Sequence, residues 1–181
     1  MTSTSDRMAT RQRLVEQHVG CENRHDLDGI MATFGAAARY DDEPWSAHYN
    51  GRDAVRGFYT DLLRAVPELT IDVLRNHACA DAIVLEVIIR GRHLGAWRGL
   101  PATGATIELP LCGIYTFDQA DRLAGERIYY DRATLLRQLG VFHEPDHAVG
   151  RVATLLTHPL TFARVAARHI WPRQDETTDR A

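Results

Sequence analysis

Cysteine is scarce in this sequence. Only three of its 181 residues are cysteines, and Cys21, Cys79 and Cys112 lie far apart without the CxxC spacing of a metal or redox motif. An odd number of scattered thiols is typical of a protein in a reducing cytosol, where they act as small core residues. The cysteine content therefore favours a cytoplasmic protein.

Long hydrophobic runs are also missing. No run approaches the roughly 18 apolar residues that a spanning helix needs, and the first residues, MTSTSDRMATRQR, lack the apolar segment of a secretory signal. The composition is still 45% hydrophobic, which is enough for a sizeable core. A net charge of −3 and a pI near 6.3 argue against nucleic acid as a partner. We expect a soluble cytoplasmic domain.

Motifs for cofactors and metals are absent as well. The sequence contains no GxGxxG, P-loop, HExxH or nucleophile elbow. Its nine histidines lack the HxH or HxxxH spacing with a nearby acid that zinc sites favour. His143 and His147 are four residues apart, but Pro145 between them prevents a shared helix face. The sequence therefore predicts no cofactor and no metal, so any chemistry would come from acidic and basic side chains.

What the sequence does contain is a run of helices followed by a run of strands. Helical periodicity predicts helices over Asp6 to Asn23, Leu27 to Phe34 and Arg52 to Val66. The segment between the last two helices, Ala37 to Asn50, is short, acidic and aromatic, and it is interrupted by a proline, which indicates strand and loop.

Four long strands joined by short turns are predicted next, and they form an antiparallel meander. Helices followed by strands indicate an α+β fold in which the N-terminal helices pack on one face of a curved sheet. The predicted strands are Leu69 to Cys79, Ala82 to Trp97, Thr106 to Phe117 and Asp121 to Tyr130.

A C-terminal extension follows this domain. We divide the chain into a domain over residues 1–142 and an extension over residues 143–181. Ala148 to Ile170 is apolar and basic and is broken at Pro159, and the polar tail from Pro172 is predicted to be disordered. The helical part could be a lid, a dimer contact or a helix lying on a membrane surface.

Asp131 stands at a joint between a strand and a helix. Arg127 to Tyr130 has the aromatic and branched residues of a strand, and Ala133 to Leu139 has good helix formers closed by Gly140. Asp131 fits two interpretations, which are compatible. It can cap the helix by accepting backbone N–H bonds, or it can point its carboxylate into a cavity as a proton-transfer group.

These segments together resemble the SnoaL-like polyketide cyclases of the nuclear transport factor 2-like superfamily. The most specific pieces are H-x3-W-x-G-x-P-x-T-G from His93 to Gly104 and D-x3-L-x2-QLG from Asp131 to Gly140, and the match covers about Val15 to Val141. The resemblance implies a cone-shaped α+β barrel with a deep apolar pocket. The wider superfamily also contains isomerases, epoxide hydrolases and binding proteins, so the resemblance predicts the fold more firmly than the function.

The resemblance implies that Asp131 is the acid/base residue, because the cyclases are believed to use an aspartate at the matching place. A histidine on the preceding strand assists in characterised cyclases, but this chain has Cys112 and its neighbours there. His93, on the adjacent strand, could take over that role. It shares the parity of Val87 and Ile89, which we take as facing inward, although a core-edge histidine bonded to a backbone carbonyl is the alternative.

Strand alternation places Arg127, Tyr129 and Asp131 on one face. If Asp131 faces the cavity, Tyr129 could donate to a carbonyl or enolate oxygen. Arg127 could keep Asp131 ionised, or it could lie in solvent at the rim.

Aromatic residues and an acidic run supply the remaining pocket candidates. Trp97 and Trp45 suit a lining for a flat substrate, although buried aromatics are also ordinary core residues. Tyr49 is a weaker candidate. The acids that begin at Asp41 could place one carboxylate at the cavity mouth, although three acids in a row more often form a solvated turn.

The favoured function is a cofactor-independent cyclase or isomerase that acts by acid/base catalysis on a polyketide-like or other apolar carbonyl substrate. Asp131 would remove a proton between two carbonyls, and the carbanion would close a ring by attacking an internal carbonyl. The alternatives are a hydrolase of the epoxide type and a non-catalytic binding protein for a lipophilic metabolite. Relatives often pair through the outer face of the sheet, so we also expect a homodimer.

Overall fold

The computed structural model describes the backbone of residues 4–170 and the side chains of residues 6–167. It divides into two compact units, with the boundary between Val141 and Phe142. The tail from Pro172, which was predicted to be disordered, lies outside the described residues.

Three helices precede the long strands. They are α1 (Thr4–Asn23), α2 (Leu27–Thr33) and α3 (Arg52–Ala65). Asp26 caps α2, because its carboxylate accepts a hydrogen bond from the backbone N–H of Gly29 at 2.8 Å. The three helices agree with the predicted ones to within two residues at each end.

The sheet that the structure describes has six strands. Four are the predicted long strands, and the acidic and aromatic segment, predicted as strand and loop, forms two short strands around a single 3₁₀ turn. The order across the sheet is β2-β1-β6-β5-β4-β3. Neighbours are antiparallel except for β1 and β6, which are parallel. The prediction of an α+β fold is confirmed. The strands are β1 (Arg39–Asp42), β2 (Ala47–Asn50), β3 (Thr70–Ala78), β4 (Ala82–Arg92), β5 (Thr106–Phe117) and β6 (Leu123–Tyr130).

The inner face of the sheet packs against the helices. On β4 the residues Ile83, Leu85 and Val87 are buried, and the alternating Glu86 faces outward with a side chain 42% exposed. This period-2 pattern is the one that the sequence predicted. The main core then forms where α1, α2 and α3 cover this face.

A second apolar cluster closes the other part of the domain. The helix α4 (Arg132–Gln138) follows β6 directly and packs Leu135 against Ile107 and Leu109 of β5. Gly140 has a positive φ of 75°, the left-handed conformation typical of a residue just beyond a helix. The helix α4 therefore returns over the inner face of the sheet.

The second unit contains α5 (Ala148–Thr157) and α6 (Pro159–Ile170), which are separated at the predicted break before Pro159. Most of the described large apolar side chains of this unit are exposed, including Leu156 and Leu160. Among residues 4–170, no helix is both long enough and apolar enough to span a membrane.

Candidate active site

An apolar pocket opens between the inner face of the sheet, α3 and α4. It encloses about 640 Å³ of empty space, counting the part that is open to solvent. Almost all of its wall is aliphatic or aromatic, which suits a small apolar ligand. The lining residues are Tyr40, Asp42, Phe58, Leu62, Val66, Leu69, Ile89, His93, Trp97, Ile107, Leu109, Leu111, Ile128, Tyr130, Leu135 and Leu139.

Asp42 is the carboxylate in this pocket. It is the last residue of β1 and is only 1% exposed. Burial raises its pKa above the usual aspartate range, although Arg98 and the hydroxyl of Tyr130 act in the opposite direction. Among the residues that the structure describes, the oxygen Oδ1 of Asp42 has no hydrogen-bond partner. The carboxyl group thus has one oxygen held by the protein and one that is buried without a partner.

Arg98 and Tyr130 hold the other side of Asp42, and two tryptophans hold these residues in place. A terminal nitrogen of Arg98 donates to Oδ2 of Asp42. The Arg98 guanidinium lies over the rings of Trp45 and Trp97, at 4.9 Å and 5.2 Å from their centroids. Trp45 also donates its indole N–H to the hydroxyl of Tyr130 at 2.7 Å, so that this hydroxyl keeps its own proton for Asp42. The aromatic residues therefore fix the position of the carboxylate.

His93 supplies a hydrogen-bond donor to the same pocket. It is 1% exposed, and burial lowers its pKa, so the imidazole is neutral near pH 7. The backbone N–H of Thr103 points at Nδ1 at 3.3 Å, and the Thr103 hydroxyl lies 3.1 Å from the same nitrogen. A backbone N–H can only donate, so Nδ1 accepts and the ring proton is on Nε2. Within the described part of the chain, Nε2 has no partner.

The motif that begins at His93 shapes this side of the pocket. His93 and Trp97 of this motif line the pocket, and Arg98 donates a hydrogen bond to Asp42. Thr103 fixes the tautomer of His93. Arg98 has a positive φ of 49° and Gly99 one of 82°, so the chain turns sharply where it presents the arginine. The inward placement of His93 and Trp97 is the one that the sequence predicted.

Asp131 lies outside the pocket. Its carboxylate accepts hydrogen bonds from the backbone N–H groups of Ala133 and Thr134, at 2.9 Å and 3.2 Å, and its side chain is 62% exposed. A hydrogen bond from the Thr134 side chain contributes most to lowering its pKa, which is the opposite of what a buried base needs. The cap interpretation is confirmed, and the prediction that Asp131 faces a cavity is wrong.

The prediction that Arg127 and Tyr129 of β6 face the cavity together with Asp131 is also wrong. Ile128 and Tyr130 line the pocket, so the alternating Arg127 and Tyr129 point to the outer surface. Tyr129 is 44% exposed. Arg127 pairs with Glu43 at 3.1 Å rather than with Asp131.

For the acidic run that begins at Asp41, one prediction is correct and another is wrong. One of its carboxylates does face the pocket, but it is Asp42, and Asp41 points to the other side of β1. There Asp41 contacts Arg39 at 2.8 Å and His48 at 2.7 Å. These two partners lower its pKa although burial raises it. Asp41 and Asp42 are both buried, so this run is not a solvated turn.

Three more pocket candidates lie elsewhere. Cys112 is in register with Glu86 and Tyr129 on the outer face of the sheet, so its side chain points away from the pocket. Trp45 acts behind the lining by holding Tyr130. Tyr49 lines a neighbouring cleft that shares Phe58 and Trp97 with the pocket.

The sequence reasoning missed Asp42, Tyr130 and Arg98. Period-2 alternation from the branched Ile128 would have placed Tyr130 inward, and alternation from Tyr40 would have done the same for Asp42. Arg98 carried no such signal because it lies in a loop.

Comparisons with known proteins agree with this fold. The SnoaL-like polyketide cyclase family matches residues 12–139. No curated protein matches the chain in sequence.

Several solved structures are similar. AclR from Streptomyces galilaeus superposes with a TM-score of 0.65 at 24% identity, over 75% of this chain and 99% of AclR. A protein from Catenulispora acidiphila with a ketosteroid isomerase-like fold gives 0.60 at 15% identity, over 71% of this chain and 92% of that one. The epoxide hydrolase/cyclase-like enzyme SalBIII, of salinomycin pyran ring formation, gives 0.59 at 17% identity, over 67% and 91%. At these identities the similarity concerns the fold.

Proposed function

The chain belongs to the SnoaL-like polyketide cyclase family, and we propose that it is a cofactor-independent cyclase or isomerase for an apolar carbonyl substrate. The observation that carries the proposal is the pair of unpartnered polar atoms in one apolar pocket. They are the acceptor Oδ1 of Asp42 and the donor Nε2–H of His93. A substrate that has both an acidic C–H and a carbonyl oxygen satisfies the two together.

Asp42 acts as the base. A carbon between two carbonyls loses a proton to a modest base, because the charge is delocalised as an enolate. Burial raises the pKa of Asp42, which makes this carboxylate a better proton acceptor than an exposed one. Its Oδ1 takes the proton, and Arg98 keeps the group in place through Oδ2.

His93 stabilises the oxygen on which the charge develops. Its Nε2–H donates to the substrate carbonyl and more strongly to the enolate, and the neutral ring keeps its proton throughout. The carbanion then attacks an internal carbonyl carbon, and a C–C bond forms as that C=O becomes an alkoxide. Asp42 returns its proton to the alkoxide, which restores the carboxylate and balances the reaction. An isomerase would return the proton to a different carbon.

The cationic residues of the chain restrict the chemistry further. All 21 of them are arginines, and no lysine is present. Ring closure through a lysine Schiff base and its enamine is therefore unavailable to these side chains. Enolate chemistry at a carboxylate and a neutral imidazole is what the pocket offers.

A second candidate reaction is epoxide opening, and the free donor on His93 favours it. Nε2–H would hydrogen-bond to the epoxide oxygen while Asp42 removes a proton from water or from a hydroxyl of the substrate. The described pocket lining contains no second carboxylic acid to protonate the oxygen. For this reason we place carbonyl chemistry first.

The test compares wild type, Asp42→Asn and Asp131→Asn on β-keto esters, β-diketones with an internal ketone and small epoxides. We expect the carbonyl substrates to be converted by wild type and by Asp131→Asn at equal rates. The rate of Asp42→Asn should fall by roughly 10²- to 10⁴-fold, the usual contribution of a positioned base. Product analysis by mass spectrometry and NMR separates cyclisation from epoxide opening.

Two results would contradict the proposal. Equal turnover by Asp42→Asn and wild type would remove Asp42 from the reaction. Tight binding of these compounds without turnover would instead indicate a binding protein for a lipophilic metabolite.

A further inference from the structure

A second group of polar side chains lies in the core, outside the pocket lining. His18 and Glu22 are one turn apart on α1, and Glu126 comes from β6. The three residues are 0%, 6% and 4% exposed. Two carboxylates and an imidazole are seldom buried together unless their charges are balanced. The catalytic proposal does not use any of these residues.

The ring nitrogen Nε2 of His18 is surrounded by oxygen atoms. Oε2 of Glu126 lies at 3.3 Å, Oε1 of Glu22 at 3.8 Å and the hydroxyl of Tyr59 at 3.1 Å. The Tyr59 hydroxyl donates its proton to Oε2 of Glu126 at 2.6 Å, so it offers only lone pairs to the histidine. The other oxygen of Glu22, Oε2, has no hydrogen-bond partner among the described residues.

The opposite nitrogen of the ring fixes the tautomer. The Thr33 hydroxyl donates to the carbonyl of Ile30 at 2.6 Å. It must therefore accept from Nδ1 of His18, which lies 2.7 Å away. With the proton on Nδ1, the neutral ring presents a lone pair at Nε2. Lone pairs from the neutral histidine, both glutamates and the tyrosine thus converge, and either added protons or a bound cation must lie between them.

We propose that His18, Glu22 and Glu126 bind a divalent transition-metal cation, with the Tyr59 hydroxyl as the fourth ligand. The separations of 3.3 Å and 3.8 Å exceed a normal N–H···O hydrogen bond. The spacing between ligands that surround zinc tetrahedrally is about 3.3–3.6 Å. The 3.3 Å separation matches it and the 3.8 Å separation is slightly longer, while the Tyr59 oxygen, 2.6 Å from Oε2 of Glu126, would move away from that oxygen when a metal binds. A divalent cation neutralises both carboxylates at once, whereas protons do so only if Glu22, whose burial raises its pKa to about 7, and His18 are protonated together.

The surroundings fit such a site. Metal-bound histidines usually donate their other ring N–H to a protein acceptor, and the Thr33 hydroxyl accepts it here. The cation would join the C-terminal end of α1 to β6, two elements far apart in sequence. This role is structural and is independent of the function proposed for the pocket.

The experiment uses the full-length chain and zinc as the probe. The protein is unfolded in guanidinium with a chelator, refolded with or without zinc and desalted. Zinc is then measured by mass spectrometry and stability by thermal unfolding. Wild type should retain about one zinc per chain, and its Tm should be higher with zinc than without, because only the folded state has the site. Cobalt in place of zinc should give the visible absorption of a four-coordinate site.

Variants locate the metal and separate this inference from the catalytic one. His18→Gln and Glu22→Gln should each retain less than about a tenth of an equivalent. His48→Gln changes the histidine of another His/Asp/Glu group, whose Asp41 already pairs with Arg39. It should bind zinc like wild type, and so should Asp42→Asn.

Wild type that retains less than about a tenth of an equivalent, with the same Tm in both preparations, would overturn the site whether or not the variants fold. That result would show that bound protons, rather than a metal ion, neutralise the charges of His18, Glu22 and Glu126. Full retention of zinc by a folded His18→Gln would also overturn it.

Discussion

Asp42 and Asp131 show that the chemical role of a carboxylate depends on its surroundings. Asp131 is exposed and bonded to two backbone N–H groups, and its pKa is lowered. Asp42 is enclosed by apolar walls, and its pKa is raised despite the adjacent arginine. A proton-transfer role belongs to the second environment, because burial there brings the protonated form of the carboxyl group closer in free energy to the ionised form.

The sequence predicted some of these environments. His93 was placed correctly because alternation along β4 extends to the motif that follows, and Trp97 because an aromatic side chain suits a pocket lining. Asp131 was a plausible base because a strand ended there, but the cap satisfied its carboxylate locally. Asp42 was missed because consecutive acids usually indicate solvent, and its burial depends on contacts with Arg98 and Tyr130 that are distant in sequence.

His93 should make the stability of the fold depend on pH. Its pKa in the folded state is lowered by burial, so its contribution to stability is present above the unfolded pKa of about 6.5 and is lost as the pH falls through the folded value. The Tm of wild type should therefore decrease more steeply between pH 7 and 5 than the Tm of His93→Gln. Parallel curves for the two proteins would show that His93 does not titrate in this way.

At the scale of elements, capping and turn signals predicted the helices and long strands well, since both are determined by nearby residues. The acidic and aromatic segment was predicted as strand and loop, but its division into the short strands β1 and β2 and the parallel pairing of β1 with β6 were not predicted. That pairing joins segments far apart in sequence, and no local signal specifies it. It is also what brings Asp42 next to Ile128 and the pocket.

The joint between β6 and α4 gives a prediction at this scale. Asp131→Ala should lower the Tm by a few degrees, because the first turn of α4 loses its cap. Asp131→Asn should have a smaller effect, because asparagine caps nearly as well as aspartate. Thermal unfolding of the three proteins checks this order. Equal melting of Asp131→Ala and wild type would mean that the cap contributes nothing.

At the scale of the whole molecule, the first unit has its own core. Every buried residue of the two hydrophobic clusters lies between Leu14 and Leu139. The pocket lining lies within the same limits. The expected homodimer stays a prediction, and so does the role of α5 and α6.

Truncation after Val141 should therefore give a chain that folds. We expect one cooperative thermal transition within a few degrees of the full-length Tm, because no core residue is removed. Its turnover on any substrate of the full-length protein should be unchanged. Circular dichroism melts and rate measurements on residues 1–141 check both points. An unfolded or inactive product would show that the second unit is part of the working domain.

The central claim is that Asp42 removes a carbon-bound proton in the pocket. NMR in deuterated water measures this step alone, as enzyme-dependent exchange at the carbon between the carbonyls of a β-keto ester. Wild type and Asp131→Asn should catalyse the exchange at equal rates, and Asp42→Asn should be slower by at least about 10²-fold. Exchange that is unaffected by Asp42→Asn, or lost in Asp131→Asn at an unchanged Tm, would contradict the account.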